Sequence, residues 1–500
     1  MSIKRQTLWS LAPLLVTAAV TFFSAPLFLR YFGTEMYALF GYVTTVSAMF
    51  GFADLGLGVA VGRNISHALG RNDPAAVRRY WGTGNLIVLP VLSLVTVGFT
   101  GLAMWLGPKW FDKLSPAHIG LFRICFAING LGLFFNYYGS YWLTISQAYL
   151  DFKFIGSIRA TMSLLQIIPS VVLAWLTQNP LWVVTWVSLV GLLQLVILIW
   201  HARRHYELDM CFGSASLACA REMSGYVSKM LLGLAMGVVF GNIDRLILGK
   251  LATTAVFSPY YFSNSIALRL QSLSVSVMGP VLHNTARMAQ DSHAAAAKIY
   301  NDTFTFMFEW YLFAALWLGL WHPVLLRMYL VHTMGFALGQ QTALAVGPLL
   351  IPLVVACCFT SIANISGSQL ASLNRMGTAV SFSIAAGLLV IAGVLIGWRI
   401  AGVVGVAYGY LFSRVALVAQ DLYTIHLIKA GGWLDVRTWR KIAAQGLAAA
   451  LFGLTYLILP KFSYWLLVPA ALHAGLVAVW LLRQPLRKVL ASTKVFGKYL

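Results

Sequence analysis

Eight charged residues lie inside long apolar stretches of this 500-residue chain: Arg123, Arg245, Arg269, Arg414, Asp54, Asp244, Glu309 and Asp421. A charge surrounded by apolar sequence is expensive unless it faces water or a partner, so these positions are where chemistry is sought first. Arginine offers a planar fork of donors that grips phosphate or carboxylate through two charge-assisted bonds. No nucleophile–base constellation accompanies them, so the chemistry they suggest is the holding of an anion rather than the making or breaking of bonds.

Arg269 is the leading candidate, about 15 residues into an apolar run and too deep to reach either end easily. Tyr261, Ser265 and Arg269 are spaced by four and share a helical ridge. That stripe would present an aromatic ring, a hydroxyl and a guanidinium to a sugar phosphate; the alternative is an ion pair between Arg269 and Asp54 or Glu309. Arg414 sits in mid-run, with Asp421 seven residues on and nearer the inner surface. Arg245 adjoins Asp244, and Arg123 lies near the outer end of its run, so both have a structural as well as a binding reading. Asp54, Glu309 and Asp421 are candidates to couple a cycle to H+ or Na+, or to neutralise the arginines. The segment NYYGSYW at 136–142 places Asn136 and Tyr138 where they would contact a sugar, or pack between helices.

The elements that must position these groups follow from composition. Apolar residues make up 60% of the chain and charged residues only 10%, against about 25% charged in a soluble domain. The apolar residues form continuous runs long enough for helices to cross a hydrocarbon core about 30 Å thick. Continuity rather than alternation excludes an outer-membrane barrel. The runs predict fourteen spans: 8–29, 36–61, 81–106, 118–147, 160–177, 181–200, 226–249, 254–280, 303–328, 342–368, 378–398, 402–428, 442–460 and 463–482. The first is too long for a cleaved signal. The five cysteines show no CxxC spacing, and neither a disulfide framework nor a metal site is expected.

With fourteen spans the ends share a side, and that side carries 24 Lys and Arg against 7 opposite. The bias places both termini in the cytoplasm. The net charge of +21 is then mainly a topology signal, with anionic lipid headgroups rather than nucleic acid as the expected partner of the basic rim. The longest inner connection, 201–225, reads as a joint between a bundle at 1–200 and a second at 226–428, with 429–500 adding two helices and a basic tail. A repeat supports the division. Residues 61–80 align without gaps to 281–300, matching Val61/Val281, Asn64/Asn284, Ala75/Ala295, Ala76/Ala296, Arg78/Lys298 and Tyr80/Tyr300. NISGS at 364–368 echoes NYYGS at 136–140.

Three segments carry a family resemblance: PLFLRYFGTEMYALFGYVTTVSAMFGFADLGLGVAVGRNIS at 26–66, NIDRLILGKL at 242–251 with YYFSNSIALRL at 260–270, and HPVLLRMYL at 322–330. They resemble the multidrug/oligosaccharidyl-lipid/polysaccharide exporter superfamily, and within it the polysaccharide-transporter branch of Wzx-type flippases. The resemblance implies an all-α fold of two pseudo-symmetric six-helix bundles in a V with two appended helices. It implies that an undecaprenyl-diphosphate-linked oligosaccharide is moved from the inner to the outer leaflet of a bacterial cytoplasmic membrane by alternating access. It implies no cofactor, and partners among polysaccharide polymerases and export machinery.

Three other readings were weighed on the residues. A lipid II flippase would share the diphosphate lipid. A cationic-drug exporter should carry acids in its first helix, whereas 8–29 holds no charge at all. A membrane glycosyltransferase or polymerase needs catalytic residues in sizeable outer loops, and the outer loops here are short.

Overall fold

The computed structural model describes residues 3–51, 57–223, 237–288, 293–372, 375–427 and 469–474, and these are helical with no strand among them. In chain order the helices are α1 (Ile3–Met49), α2 (Leu57–Gly70), α3 (Pro74–Trp110), α4 (Ile119–Ala148), α5 (Phe152–Thr177), α6 (Pro180–Tyr206), α7 (Ile243–Leu251), α8 (Thr254–Met288), α9 (His293–Met334), α10 (Phe336–Ser372), α11 (Met376–Phe412) and α12 (Val415–Leu427). Seven described stretches are long and apolar enough to cross a bilayer. On α6 the exposed face carries Trp182, Leu189, Leu192, Leu193, Val196 and Trp200. The two tryptophans are separated by about 27 Å along the axis, close to the thickness of a hydrocarbon core flanked by aromatic belts.

Helix ends depart from the hydropathy boundaries because caps, not lipid, decide where a helix begins. Asp73 accepts the Ala76 N–H at 2.9 Å ahead of Pro74, so α3 starts well before its apolar stretch. Asp151 does the same for α5 through Phe154 N–H, at 3.2 Å, and Asn179 for α6 through Leu181 N–H, at 2.9 Å. Conversely, the expected span 226–249 is interrupted by a turn at Gly241–Asn242, whereas α1 bends at Gly33, whose φ of 70° is left-handed, and α11 turns at Ala401–Gly402, at the joints expected between 8–29 and 36–61 and between 378–398 and 402–428. Helix α1 ends at Met49, inside the expected span 36–61, and 402–428 breaks at Ser413–Arg414. The 220-residue repeat has a helical counterpart. With that offset removed, α8 ends at 68 and α9 starts at 73, within two residues of the end of α2 and the start of α3. The expected span 442–460 lies outside the described residues, as does 463–482 apart from 469–474.

The chain divides into two compact units. One comprises Met1–Ser265 and Arg375–Ala416; the other comprises Ile266–Asn374 and Leu417–Leu500. The first unit has an aromatic core at the start of α3 and the end of α4. Trp81 is fully buried, stacked on Tyr141 with centroids 4.7 Å apart and edge-on to Trp142 at 4.9 Å.

The segment expected as a joint is fixed along α3 over 207–216. Trp81 Nε1 donates to Asp209 O at 2.7 Å, Asn85 Nδ2 to Met210 O at 3.3 Å, and Ser214 Oγ to Arg78 O at 3.1 Å. Ser216 N–H donates to Thr83 Oγ1 at 2.9 Å. Gly82 is required there, since a Cβ would overlap the Cys211 carbonyl. Asp209 is held below its usual carboxyl pKa by its bond to Arg203, which anchors the start of this strap to the end of α6.

At the opposite end of the first unit, α7 and the start of α8 close against α1 and α3. Tyr42 stacks on Phe111 at 4.2 Å and meets Phe257 at 4.4 Å. Trp110 Nε1 donates to Leu246 O at 2.9 Å, and Lys250 Nζ reaches Asp112 Oδ2 at 2.8 Å. The Lys250 bond holds the Asp112 carboxyl below its ordinary range.

Within α11 the helix folds back on itself at Ala401–Gly402. Gly393 faces the Gly409 carbonyl and Gly397 the Gly405 carbonyl so closely that a Cβ at any of the four would overlap opposing backbone. The pairs read GxxxG in each arm, the spacing that lets membrane helices approach backbone to backbone. In the second unit α9 packs on α10. Residues 469–474 dock on α9, where Trp317 Nε1 donates to Ala470 O at 3.0 Å and Trp321 Nε1 to His473 Nδ1 at 3.3 Å.

Candidate functional site

In the first unit the buried charges gather around the start of α7. Asp244 has no exposed surface; its Oδ2 accepts from Tyr260 OH at 2.7 Å and from Asn264 Nδ2 at 3.3 Å. Arg245, also buried, donates from Nη2 to Asn242 Oδ1. Three atoms of this cluster lack a hydrogen-bond partner: Asp244 Oδ1, Arg245 Nε and Asn264 Oδ1. Helix α11 packs on α7, bringing Tyr410 within electrostatic reach of Tyr260. Arg414, 6% exposed, lies over the Tyr410 ring at 4.0 Å, with Nε and Nη2 unpartnered. Two arginines and one aspartate leave the neighbourhood cationic.

In the second unit Asp421 is buried on α12. Ser366 lies near its carboxyl, with its Oγ 2.8 Å from Tyr300 OH, and Asp421 Oδ1 has no hydrogen-bond partner. Gln420 donates to Ala363 O at 2.9 Å, tying α12 to α10 one residue away. Glu309 is buried on α9.

The remaining expected residues are dispersed. Arg269 is exposed on α8, and Arg123 is exposed near the start of α4. Tyr261 and Ser265 have hydroxyls committed to the protein: Tyr261 OH lies 2.6 Å from Thr44 Oγ1, and Ser265 donates to Phe262 O at 2.7 Å. Asn136 donates to Gly132 O at 2.8 Å and packs against Gly191. Tyr138 is buried, donating to Asn85 Oδ1 at 3.0 Å, and packs with buried Tyr141 and Trp142. Asp54 lies outside the described residues. Tyr260 and Asn264 were not singled out in sequence, although they form their own i, i+4 pair one residue around from the Tyr261 ridge. Ser366 and Tyr300 carried no comparable signal, because they meet Asp421 from separate helices.

The described residues thus combine helices long and apolar enough to cross a membrane with buried, incompletely paired ionisable groups, which in such helices mark functional positions. Residues 120–310 match the family described as Polysaccharide biosynthesis protein. No curated protein matches the chain in sequence. Among solved structures the fold is similar to lipid II flippase MurJ in an inward closed conformation, with a TM-score of 0.71, 14% identity, and 97% of this chain and 100% of that one covered. It is also similar to an inward-facing multidrug resistance MATE family transporter of the MOP superfamily, with a TM-score of 0.58, 15% identity, and 85% and 98% covered. A mutant of the Vibrio cholerae MATE transporter VcmN gives 0.59, 12%, 86% and 97%.

The family match covers residues 120–310, and the likeness to MurJ and to the MATE transporters is one of fold.

Proposed function

We propose that the protein is a flippase for a polyprenyl-diphosphate-linked oligosaccharide, undecaprenyl diphosphate being the expected carrier. It moves its substrate from the inner to the outer leaflet of the bacterial cytoplasmic membrane by alternating access of two six-helix halves, with both termini cytoplasmic. The observation that carries this reading is the conjunction of a polysaccharide-biosynthesis match with a lipid II flippase-like fold in which Arg245 and Arg414 are buried. Arg269, Arg414, Arg123 and Arg245 are the cations available to a diphosphate. Glu309, Asp421 and Asp54 are the acids available to couple H+ or Na+. Of these, Asp421 has the clearest geometry, a buried carboxyl with one oxygen unpartnered. Polysaccharide polymerase and export machinery are the proposed partners that receive the flipped product.

In cells lacking the protein, lipid-linked oligosaccharide should accumulate in the inner leaflet and return to normal on complementation. Unchanged leaflet distribution together with broad drug resistance on overexpression would favour a drug exporter instead. Accumulation of lipid II in place of the oligosaccharide lipid would favour the peptidoglycan-precursor reading.

A further inference from the structure

We propose that the strap over 207–216 and the helical turn opening at Leu217 form an interfacial membrane anchor, with Phe212 and Leu217 set into the acyl boundary of the nearer phospholipid leaflet. Under the orientation proposed above this is the inner leaflet. Helix α3 locates the boundary. Its exposed apolar face runs from Leu86 through Leu94, Val97 and Leu102 to Trp105, a rise of about 28 Å that matches the hydrocarbon core. Residues three and four apart share a helical face, so Thr83, Leu86, Pro90 and Leu94 form one ridge. Leu86, Pro90 and Leu94 are exposed, whereas Thr83 is buried and accepts the Ser216 N–H. The strap thus covers the lipid-facing side of α3 at a point about 5 Å beyond the boundary.

Helix α6 gives the same depth independently. Trp200 is exposed at the end of its lipid-facing stripe, with the Arg204 guanidinium 5.7 Å from a ring centre. The bond from Arg203 to Asp209 ties the strap to α6 three residues past that tryptophan, again about 5 Å along the axis. A headgroup layer is about 5–7 Å thick, so the strap lies within it. Its composition suits that layer. Residues 210–220, MCFGSASLACA, hold no charge, although HARRHYELD precedes them and Arg221 and Glu222 follow. The segment is two-sided: Leu208 and Met223 are buried, while Leu217 is 78% and Phe212 43% exposed. Beyond Gly213 the space is open as well. Tyr80 OH donates to Glu222 Oε2 at 2.8 Å, so the far end of the segment is also fixed on α3. An uncharged face held at headgroup depth, with large apolar side chains turned away from the protein, is stabilised by lipid and not by water.

This surface does not depend on the cargo proposed above. A photoreactive benzophenone amino acid would replace Leu217, Phe212, Leu94 or Arg71, one site at a time, in the full chain. The protein would be illuminated in vesicles of phosphatidylethanolamine and phosphatidylglycerol, and covalent lipid adducts read by mass spectrometry. Leu94 faces the hydrocarbon core and sets the upper limit. Arg71, exposed on the turn between α2 and α3, sets the lower one, since α3 itself starts about 18 Å beyond the boundary. Lipid adducts at Leu217 and Phe212 should approach the yield at Leu94 and stand well above that at Arg71. Each probe replaces an exposed side chain, and the Leu94 adduct shows that the protein is inserted. Yields at Leu217 and Phe212 no higher than at Arg71 would overturn the anchor. In whole cells the same two probes should again capture lipid; adducts to another protein in place of lipid would overturn it as well, and would make the face a protein-docking surface.

Discussion

Replacing Trp81 with alanine should lower the stability of the first unit by about 3–5 kcal/mol, the usual cost of deleting a fully buried large aromatic. The side chain does two jobs at once. It fills the aromatic core against Tyr141 and Trp142, and its indole N–H fixes Asp209 O and with it the strap over 207–216. Alanine removes both, so two readouts should move together. The thermal inactivation midpoint in detergent should fall, and Cys211, half-buried on the strap, should react faster with a thiol reagent. Trp81→Phe keeps most of the ring and loses only the bond, so it should raise Cys211 reactivity with a smaller fall in midpoint. A fall in midpoint with no change at Cys211 would mean that the strap is held by its other bonds alone.

Gly397→Leu should be as damaging by a different route. The residue opposes the Gly405 carbonyl across the folded α11, and the obstacle is backbone, which cannot swing aside as a side chain can. Overpacking at such a contact costs about 1–3 kcal/mol and can exceed that when the backbone must separate. The variant should accumulate poorly in the membrane, or melt well below the unmodified protein. Gly98→Ala is the matched control: nothing lies within 4 Å of a Cβ there, and helix propensity alone should make the change neutral or slightly stabilising. Equal melting of Gly397→Leu and the unmodified protein would show that the two arms of α11 are not in backbone contact.

Both effects mark the boundary of what was legible beforehand. Hydropathy located α3 to α6 closely because a lipid-spanning segment must be apolar along its length, and that requirement is written residue by residue. It did not place the breaks at Gly241–Asn242 and Ser413–Arg414, since a helix interrupted inside protein keeps an apolar sequence on both sides. The strap was invisible for a related reason. A bond from Trp81 to the Asp209 carbonyl joins residues 128 apart and leaves no trace in local composition.

The site shows the same limit. Of the charges set inside apolar sequence, Asp244, Arg245, Arg414, Glu309 and Asp421 are buried. The ridge chosen on α8 was a different matter. Tyr261 and Ser265 spend their hydroxyls on Thr44 and on the helix's own backbone, whereas Tyr260 and Asn264, one position around, meet Asp244. A rotation of 100° per residue separates the two ridges, and only the packing of α8 on its neighbours says which one turns toward the charges. Asn136 and Tyr138 illustrate the converse: an aromatic–amide motif suited to sugars is also suited to closing a core, and Tyr138 is used to close one.

Flipping itself is tested most directly in sealed liposomes containing only this protein and a synthetic undecaprenyl-diphosphate oligosaccharide. A membrane-impermeant glycosidase added outside would digest sugar displayed on the outer leaflet. Digestion should stop near half of the total without the protein and continue toward completion with it, as inner-leaflet substrate is delivered. A plateau at half in liposomes whose protein is folded, inserted and supplied with an H+ or Na+ gradient would contradict the account.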